Sequence, residues 1–233
     1  MIRHGHETFF KSAFELETTM IRIHGYFRSS SSYRCRIAFN LKGLATSFSP
    51  VHLLRDGGQQ HAPAFRALNP QGLVPAVEAD GQVLTQSPAI LEWLDETYPN
   101  PPLLPSDPFE RASVRAFCAV IGCDIHPLQN LRVLQYLKSD LGQDQQAVDA
   151  WCQRWIGDGL HAAEALLSDG PATRFAFGDD PGMAEVYLMP QMFSAERFKV
   201  DIASCTRLRA IAEECTSLPA FKDAHPANQP DAE

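Results

Sequence analysis

No apolar run in the chain approaches the ~20 residues that a membrane-spanning helix needs, which predicts a soluble protein with no membrane partner. No two cysteines stand as Cys-x-x-Cys. The six thiols, at positions 35, 118, 123, 152, 205 and 215, show no Cys/His ligand spacing, so neither a metal nor a disulfide framework is expected. Positive charge is also scarce. Twenty Lys and Arg against 28 Asp and Glu leave a net charge of -8, a field that opposes nucleic acid and anionic lipid. Any anionic substrate must then be met by a local basic cluster. The first residues lack the continuous apolar stretch and small-residue cleavage site of a secretory signal, which predicts a cytoplasmic location. Residues 1–19 show no clear period and read as an N-terminal extension.

What is present is ordinary globular composition, with 45% hydrophobic and 21% charged residues, which excludes general disorder. A length of 233 residues allows one large domain or two small ones. From Met20 the pattern reads strand, helix, strand. Ile21 and Ile23 alternate with polar residues, Tyr33, Ile37 and Leu41 share one helix face from about Ser32 to Lys42, and Thr46–Val51 is strand-like. A brief helix is expected near Ala64–Leu68. Asp80-Gly81 between Val74–Val77 and Gln82–Leu84 is a strong hairpin signal. Pro75 cannot donate to a ladder, so it belongs at an edge or a special bend. Ser87-Pro88 supplies a cap and a proline start for a helix ending at Pro99. The five-proline stretch 99–108 reads as a stiff linker rather than a packed element, and the domain boundary is placed there. Beyond it the periods are helical, with one long helix expected over Phe109–Leu137 and Trp151 and Trp155 as helix-packing residues. The predicted architecture is α/β plus all-α, divided as 1–19, 20–101 and 102–233.

The serine run Ser29–Ser32, bracketed by Arg28, Arg34 and Arg36, is the most unusual local feature. It reads equally as a plain helix cap or as an anion site, because open N–H groups and the helix dipole favour a carboxylate, phosphate or thiolate there. Gln86-Ser87 is a second helix start, and Val74 offers a backbone edge to a peptide-like ligand. No Gly-x-Ser-x-Gly elbow surrounds the serines, so a hydrolase nucleophile is unsupported.

Tyr26-Phe-Arg-Ser-Ser-Ser-Ser-Tyr-Arg-Cys-Arg-Ile-Ala-Phe39 resembles the zeta-class glutathione transferase signature, Ser-Ser-Cys-x-Trp/His-Arg-Val-Arg-Ile-Ala-Leu. Val74-Pro75, Gln86-Ser-Pro-Ala-Ile90, Pro127-Leu-Gln-Asn130, Ala195-Glu-Arg-Phe-Lys-Val-Asp201 and the tail His225-Pro-x-x-Gln-Pro-Asp231 extend the likeness over about Met20–Asp231. The resemblance implies a thioredoxin-like N-terminal domain, an all-helical C-terminal domain, a homodimer, and glutathione as cofactor. It implies cis–trans isomerisation of maleylacetoacetate, or of maleylpyruvate as in a bacterial branch. In either case a thiolate adds to a cis double bond, which becomes transiently single and rotates. Ser29 then falls at the thiol-stabilising serine and Ser30 at the next catalytic place. Val74, Gln86, Ser87, Gln60, His126 and Asn130 fall at glutathione contacts, with a cis bond at Pro75. Arg28, Arg132 and Arg197 would hold the dicarboxylate substrate, although a lone Arg is ordinarily a solvated surface charge.

Two departures stand out. Ser31 replaces the family's Cys, which leaves conjugation or dehalogenation of α-haloacids open as a different activity. Gly182 replaces the usual Ser/Thr cap before Glu185. A non-enzymatic glutathione-binding dimer is a third reading, disfavoured by retention of Ser29 and the three arginines.

Overall fold

A computed structural model describes residues 20–168, 170 and 173–233, so the expected extension 1–19 lies outside the described residues. The first half contains β1 (Ile21–Gly25), α1 (Ser30–Leu41), β2 (Thr46–Pro50), α2 (Pro63–Leu68), β3 (Ala76–Ala79), β4 (Gln82–Thr85) and α3 (Ser87–Thr97). Its sheet has the order β2-β1-β3-β4. β1 and β2 run parallel across the α1 crossover, and the other two pairings are antiparallel. This is the expected thioredoxin-like arrangement. Strand alternation sets the faces: Ile21 and Ile23 are buried while Arg22 stays in solvent. Asp80 and Gly81 both have positive φ, 49° and 73°, as a tight hairpin turn requires. Pro75 sits immediately before β3, and the Val74–Pro75 bond is cis, as is Asn100–Pro101.

The second half is helical: α4 (Pro108–Ala119), α5 (Leu131–Ser139), α6 (Gln145–Ser168), α7 (Met183–Arg197), α8 (Thr206–Ser217) and α9 (Pro219–Ala224). Helix α7 is central, with every residue from Met183 to Gln191 buried, and α1 packs against both α7 and α9. One apolar core runs continuously from Ile21 and Ile37 to Val186 and Ile211. Among the described residues, no helix is long and apolar enough to cross a membrane.

Four sequence expectations need correction. Helix α1 starts at Ser30, not Ser32, because Ser29 takes the cap: its Oγ accepts the Ser32 N–H at 3.3 Å. The proline linker is packed, with Leu103 and Leu104 buried. It is held by a Lys42–Asp95 pair at 2.6 Å, with Asp95 also accepting the Leu103 N–H at 2.8 Å. The long helix over 109–137 is broken. After α4 the chain widens into a π-helical turn, Val120–Ile125, then passes Pro127, which has no N–H to continue a ladder, before α5 begins. Trp151 packs as expected and donates its indole N–H to the Leu128 carbonyl at 2.9 Å, but Trp155 lies at the surface, 36% exposed.

Candidate active site

The start of α1 forms the floor of the site. The first helical bond runs from Tyr33 N–H to the Ser29 carbonyl, and Ser29 Oγ satisfies the Ser32 N–H. The N–H groups of Ser30 and Ser31 lie in the first turn, where no earlier carbonyl can accept them within the helix. A hydroxyl has one donor and two lone pairs, so Ser29 caps with a lone pair and keeps its own proton to donate. Ser30 Oγ lies 3.3 Å from Ser194 Oγ, which donates to the Pro190 carbonyl. The start of α3 is the second open helix end. Its cap, Gln86, is held at φ 68°, a left-handed conformation unusual outside glycine, and makes no side-chain cap bond. Ser87 there is buried.

The break between α4 and α5 delivers the other wall. Had the helix continued, its ladder would occupy this stretch. Instead Asn130 caps α5 by accepting the Arg132 N–H at 3.2 Å, and His126 Nε2 lies 3.2 Å from Ser31 Oγ. Trp151 steadies the segment through Leu128. Gly122 fits here because a Cβ would meet the Tyr187 ring at 2.8 Å. Burial lowers the His126 pKa to about 3, and the cations Arg34 and Arg132 push it the same way. A neutral imidazole follows at physiological pH, suited to hydrogen bonding rather than to proton uptake.

Two adjoining cavities collect these groups. The larger is lined by Arg28, Ser29, Ser30, Gln60, Val74, His126, Asn130, Arg132 and Arg197. The second is lined by Gln86 and Ser87 and shares Ser31, Val74, His126, Asn130 and Arg132 with the first. Every sequence-derived site residue therefore faces this connected space. Among the described residues no Asp or Glu lines either cavity, while three exposed arginines do, so a chain of net charge -8 presents a locally cationic cleft. Arg28 lies over the Phe27 ring at 4.9 Å and Arg197 over the Phe198 ring at 5.1 Å. Flat aromatic support of this kind holds a guanidinium in place without neutralising it.

Sequence reasoning did not single out Phe193, Ser194, Leu53, His61 or Leu73, which also line the larger cavity. For the first two a signal existed. Phe193 and Ser194 precede Arg197 by four and three positions on α7, and such spacing shares a helix face. Arg34 was noted only as a bracket of the serines. It is buried, lies 4.4 Å over the Tyr187 ring, borders the second cavity, and leaves Nε and Nη2 without partners among the described residues.

Residues 23–102 match the family model described as Glutathione S-transferase, N-terminal domain. The maleylacetoacetate isomerase of Pseudomonas aeruginosa is 51% identical over 212 residues, covering 91% of this chain and 98% of that one. Among solved structures, a holo maleyl pyruvate isomerase described as a bacterial zeta-class glutathione transferase is similar with a TM-score of 0.88 and 48% identity. That alignment covers 91% of this chain and all of the other. The maleylacetoacetate isomerase of Anaeromyxobacter dehalogenans, with dicarboxyethyl glutathione and citrate bound in its active site, has a TM-score of 0.82 and 39% identity, covering 94% and 96%. With these likenesses spanning nearly the whole described chain, the protein belongs to the zeta-class glutathione transferases, the family of maleylacetoacetate and maleylpyruvate isomerases.

Proposed function

We propose that this protein is a glutathione-dependent cis–trans isomerase that converts maleylacetoacetate to fumarylacetoacetate, in the cytoplasmic breakdown of tyrosine and phenylalanine. The observation that carries this is the cleft itself: a helix start bearing Ser29 shares its cavity with Arg28, Arg132 and Arg197, with no carboxylate in the lining among the described residues. When bound, glutathione supplies the thiolate that adds reversibly to the cis double bond.

The residues present fit that tripeptide. Among the described residues Gln60 Oε1 and His126 Nδ1 are buried polar atoms without partners, and the α1 and α3 starts offer uncapped N–H groups to anions. Ser87 and Gln86 hold the γ-glutamyl end, the backbone of Val74 meets the cysteinyl amide, and Gln60 takes the glycyl end. His126 and Asn130 form a neutral hydrogen-bonding wall. Ser29 donates its free O–H to the sulfur, favouring thiolate over thiol, and Ser30, in the same helix start, is the second catalytic serine. The three guanidiniums hold the substrate carboxylates, whose planar geometry they match. With Ser31 in place of a cysteine, the cleft presents no protein thiol to compete with that of glutathione.

The reading divides the chain into a glutathione-binding domain, 20–101, and a helical substrate domain, 102–233. It includes a homodimer, supported by Phe109 on α4, 86% exposed, and Val83 on the outer strand β4, 41% exposed. The test is an ultraviolet isomerisation assay with purified protein and glutathione, comparing maleylacetoacetate, maleylpyruvate and an α-haloacid. A kcat/KM highest for maleylacetoacetate supports the reading. A preference for maleylpyruvate moves the assignment to gentisate breakdown, and turnover of the haloacid alone overturns it.

A further inference from the structure

The tail of the chain reaches back to the turn that carries Ser29. Asp231 Oδ2 accepts the Phe27 backbone N–H at 3.0 Å, from 204 residues away in sequence. The other end of the same residue is held by Arg36, whose Nη2–H donates to the Phe27 carbonyl at 3.0 Å. Arg36 Nε–H donates to the Ala224 carbonyl, also at 3.0 Å, at the end of α9. Both backbone groups of Phe27 are thus taken by charged side chains from outside its turn. Bonds to charged groups are stronger than bonds between neutral ones.

What they fix is the active-site turn. The Phe27 ring supports the Arg28 guanidinium at 4.9 Å, and the Ser29 N–H closes the turn on the Tyr26 carbonyl at 3.0 Å. A second tie runs alongside. Glu233 bonds Arg55 and, at 3.2 Å, His52 Nε2, while His52 Nδ1 accepts the N–H groups of Leu54 and Arg55. Leu54, whose N–H is held by His52, also lines the larger cavity, so this second tie reaches a segment of the site. Apolar packing of the tail is supplied separately by His225 against Tyr33 and Phe193. Among the described residues Asp231 Oδ1 is buried without a partner, so the hydrogen bond that the Asp231 side chain makes there is the one to the Phe27 N–H.

We propose that Asp231 is a positioning residue for the thiol site: by gripping the Phe27 amide it sets where the Ser29 hydroxyl and the Arg28 guanidinium stand. The proposal rests on the reading of Ser29 as the thiol's hydrogen-bond donor. It is tested with the full chain as wild type, Asp231→Ala and Asp231→Asn, because the Asn oxygen can still accept the Phe27 N–H and the Ala methyl cannot. Two readouts need no turnover: hydrogen exchange at the Phe27 amide, and the pKa of bound glutathione followed by thiolate absorbance.

In Asp231→Ala, Phe27 exchange rises about tenfold and the bound thiol pKa rises by about one unit, while Asp231→Asn stays within about twofold of wild type. An Asp231→Ala protein that loses thermal stability but keeps both readouts overturns the proposal, as does an Asn variant as impaired as Ala. If Asp231→Ala fails to fold, the wild type still decides. A Phe27 amide exchanging as fast as that of Arg28 overturns the clamp, and one protected in wild type and Asp231→Asn alike supports it. A wild type that binds no glutathione overturns the functional reading instead, leaving exchange to judge the clamp alone.

Discussion

On the proposed reading the Ser29 hydroxyl has two roles, capping α1 and donating to the glutathione thiol, and two substitutions separate them. Ser29→Ala removes both the helix cap on Ser32 and the donor toward the thiol; Ser29→Gly removes the donor but remains an acceptable cap. At this position Ala costs ~1 kcal/mol of stability relative to Ser, and Gly only a few tenths. Ser29 has φ -67° and ψ 119°, open to any residue, so neither change strains the backbone. A hydrogen bond to a charged group is worth ~1.5–3 kcal/mol. At ~1.4 kcal/mol per pKa unit, losing it raises the bound thiol pKa by about one to two units. Near pH 7, where a free thiol is only a few per cent ionised, both variants should therefore lose roughly ten- to a hundredfold in kcat at saturating glutathione. Only Ser29→Ala should melt clearly earlier. The assay is initial-rate ultraviolet kinetics beside a thermal melt. Unchanged kcat in Ser29→Gly, or activity that follows melting temperature rather than loss of the donor, would refute the reasoning.

Other positions give sharp expectations. If Arg197 holds a substrate carboxylate as proposed, Arg197→Ala removes a charged contact worth ~1.5–3 kcal/mol, so substrate KM should rise about ten- to a hundredfold with a smaller change in kcat; a kcat-only loss argues against a binding role. Gly182→Ala should cost about 1–3 kcal/mol in a denaturation experiment, because a Cβ there would meet the Leu103 carbonyl oxygen at 2.8 Å. Wild-type stability in that variant would show that the linker yields freely. For His126, burial and two arginines depress the folded pKa from 6.5 to about 3, so between those values the unfolded chain binds the extra proton. Stability should fall as pH drops through that window, and His126→Gln should flatten the loss. A His126 imidazole signal titrating near 6.5 in the native protein would contradict this.

The hairpin, the start of α3 and the special bend at Pro75 were legible because each depends on local chemistry: an Asp-Gly turn, a Ser-Pro pair, a proline before a strand. Gln60, His126, Asn130, Arg132 and Arg197 were legible only through the resemblance to the glutathione transferase signature, since no local pattern marks them. The sequence did not carry the break between α4 and α5. Periodicity there continues through Val120–Ile125, where the backbone instead widens into a π-helical turn with the Tyr187 ring of α7 close against Gly122, a contact between distant segments. The break is nonetheless what brings His126 and Arg132 to the cleft. The linker misled for a similar reason. Proline density described its stiffness but not Asp95, which pairs with Lys42 and holds the Leu103 N–H. Gly182, read as a weakened cap, has a tertiary explanation: the Leu103 carbonyl accepts the Met183 N–H at 2.8 Å and leaves no room for a side chain, while Glu185 accepts the Gly182 N–H at 2.7 Å. The Asp231 bond to Phe27 spans nearly the whole chain and has no local signature.

The central claim is that the reacting thiol comes from glutathione and not from the protein's own cysteines. Five of those are buried, and burial pushes the Cys35 thiol up to about 12. The most direct measurement is the rate of maleylacetoacetate isomerisation by the purified enzyme with glutathione, without it, and with S-methylglutathione, which has no free thiol. The account predicts turnover only with glutathione, and inhibition by the methylated analogue. Equal rates with and without glutathione would contradict it.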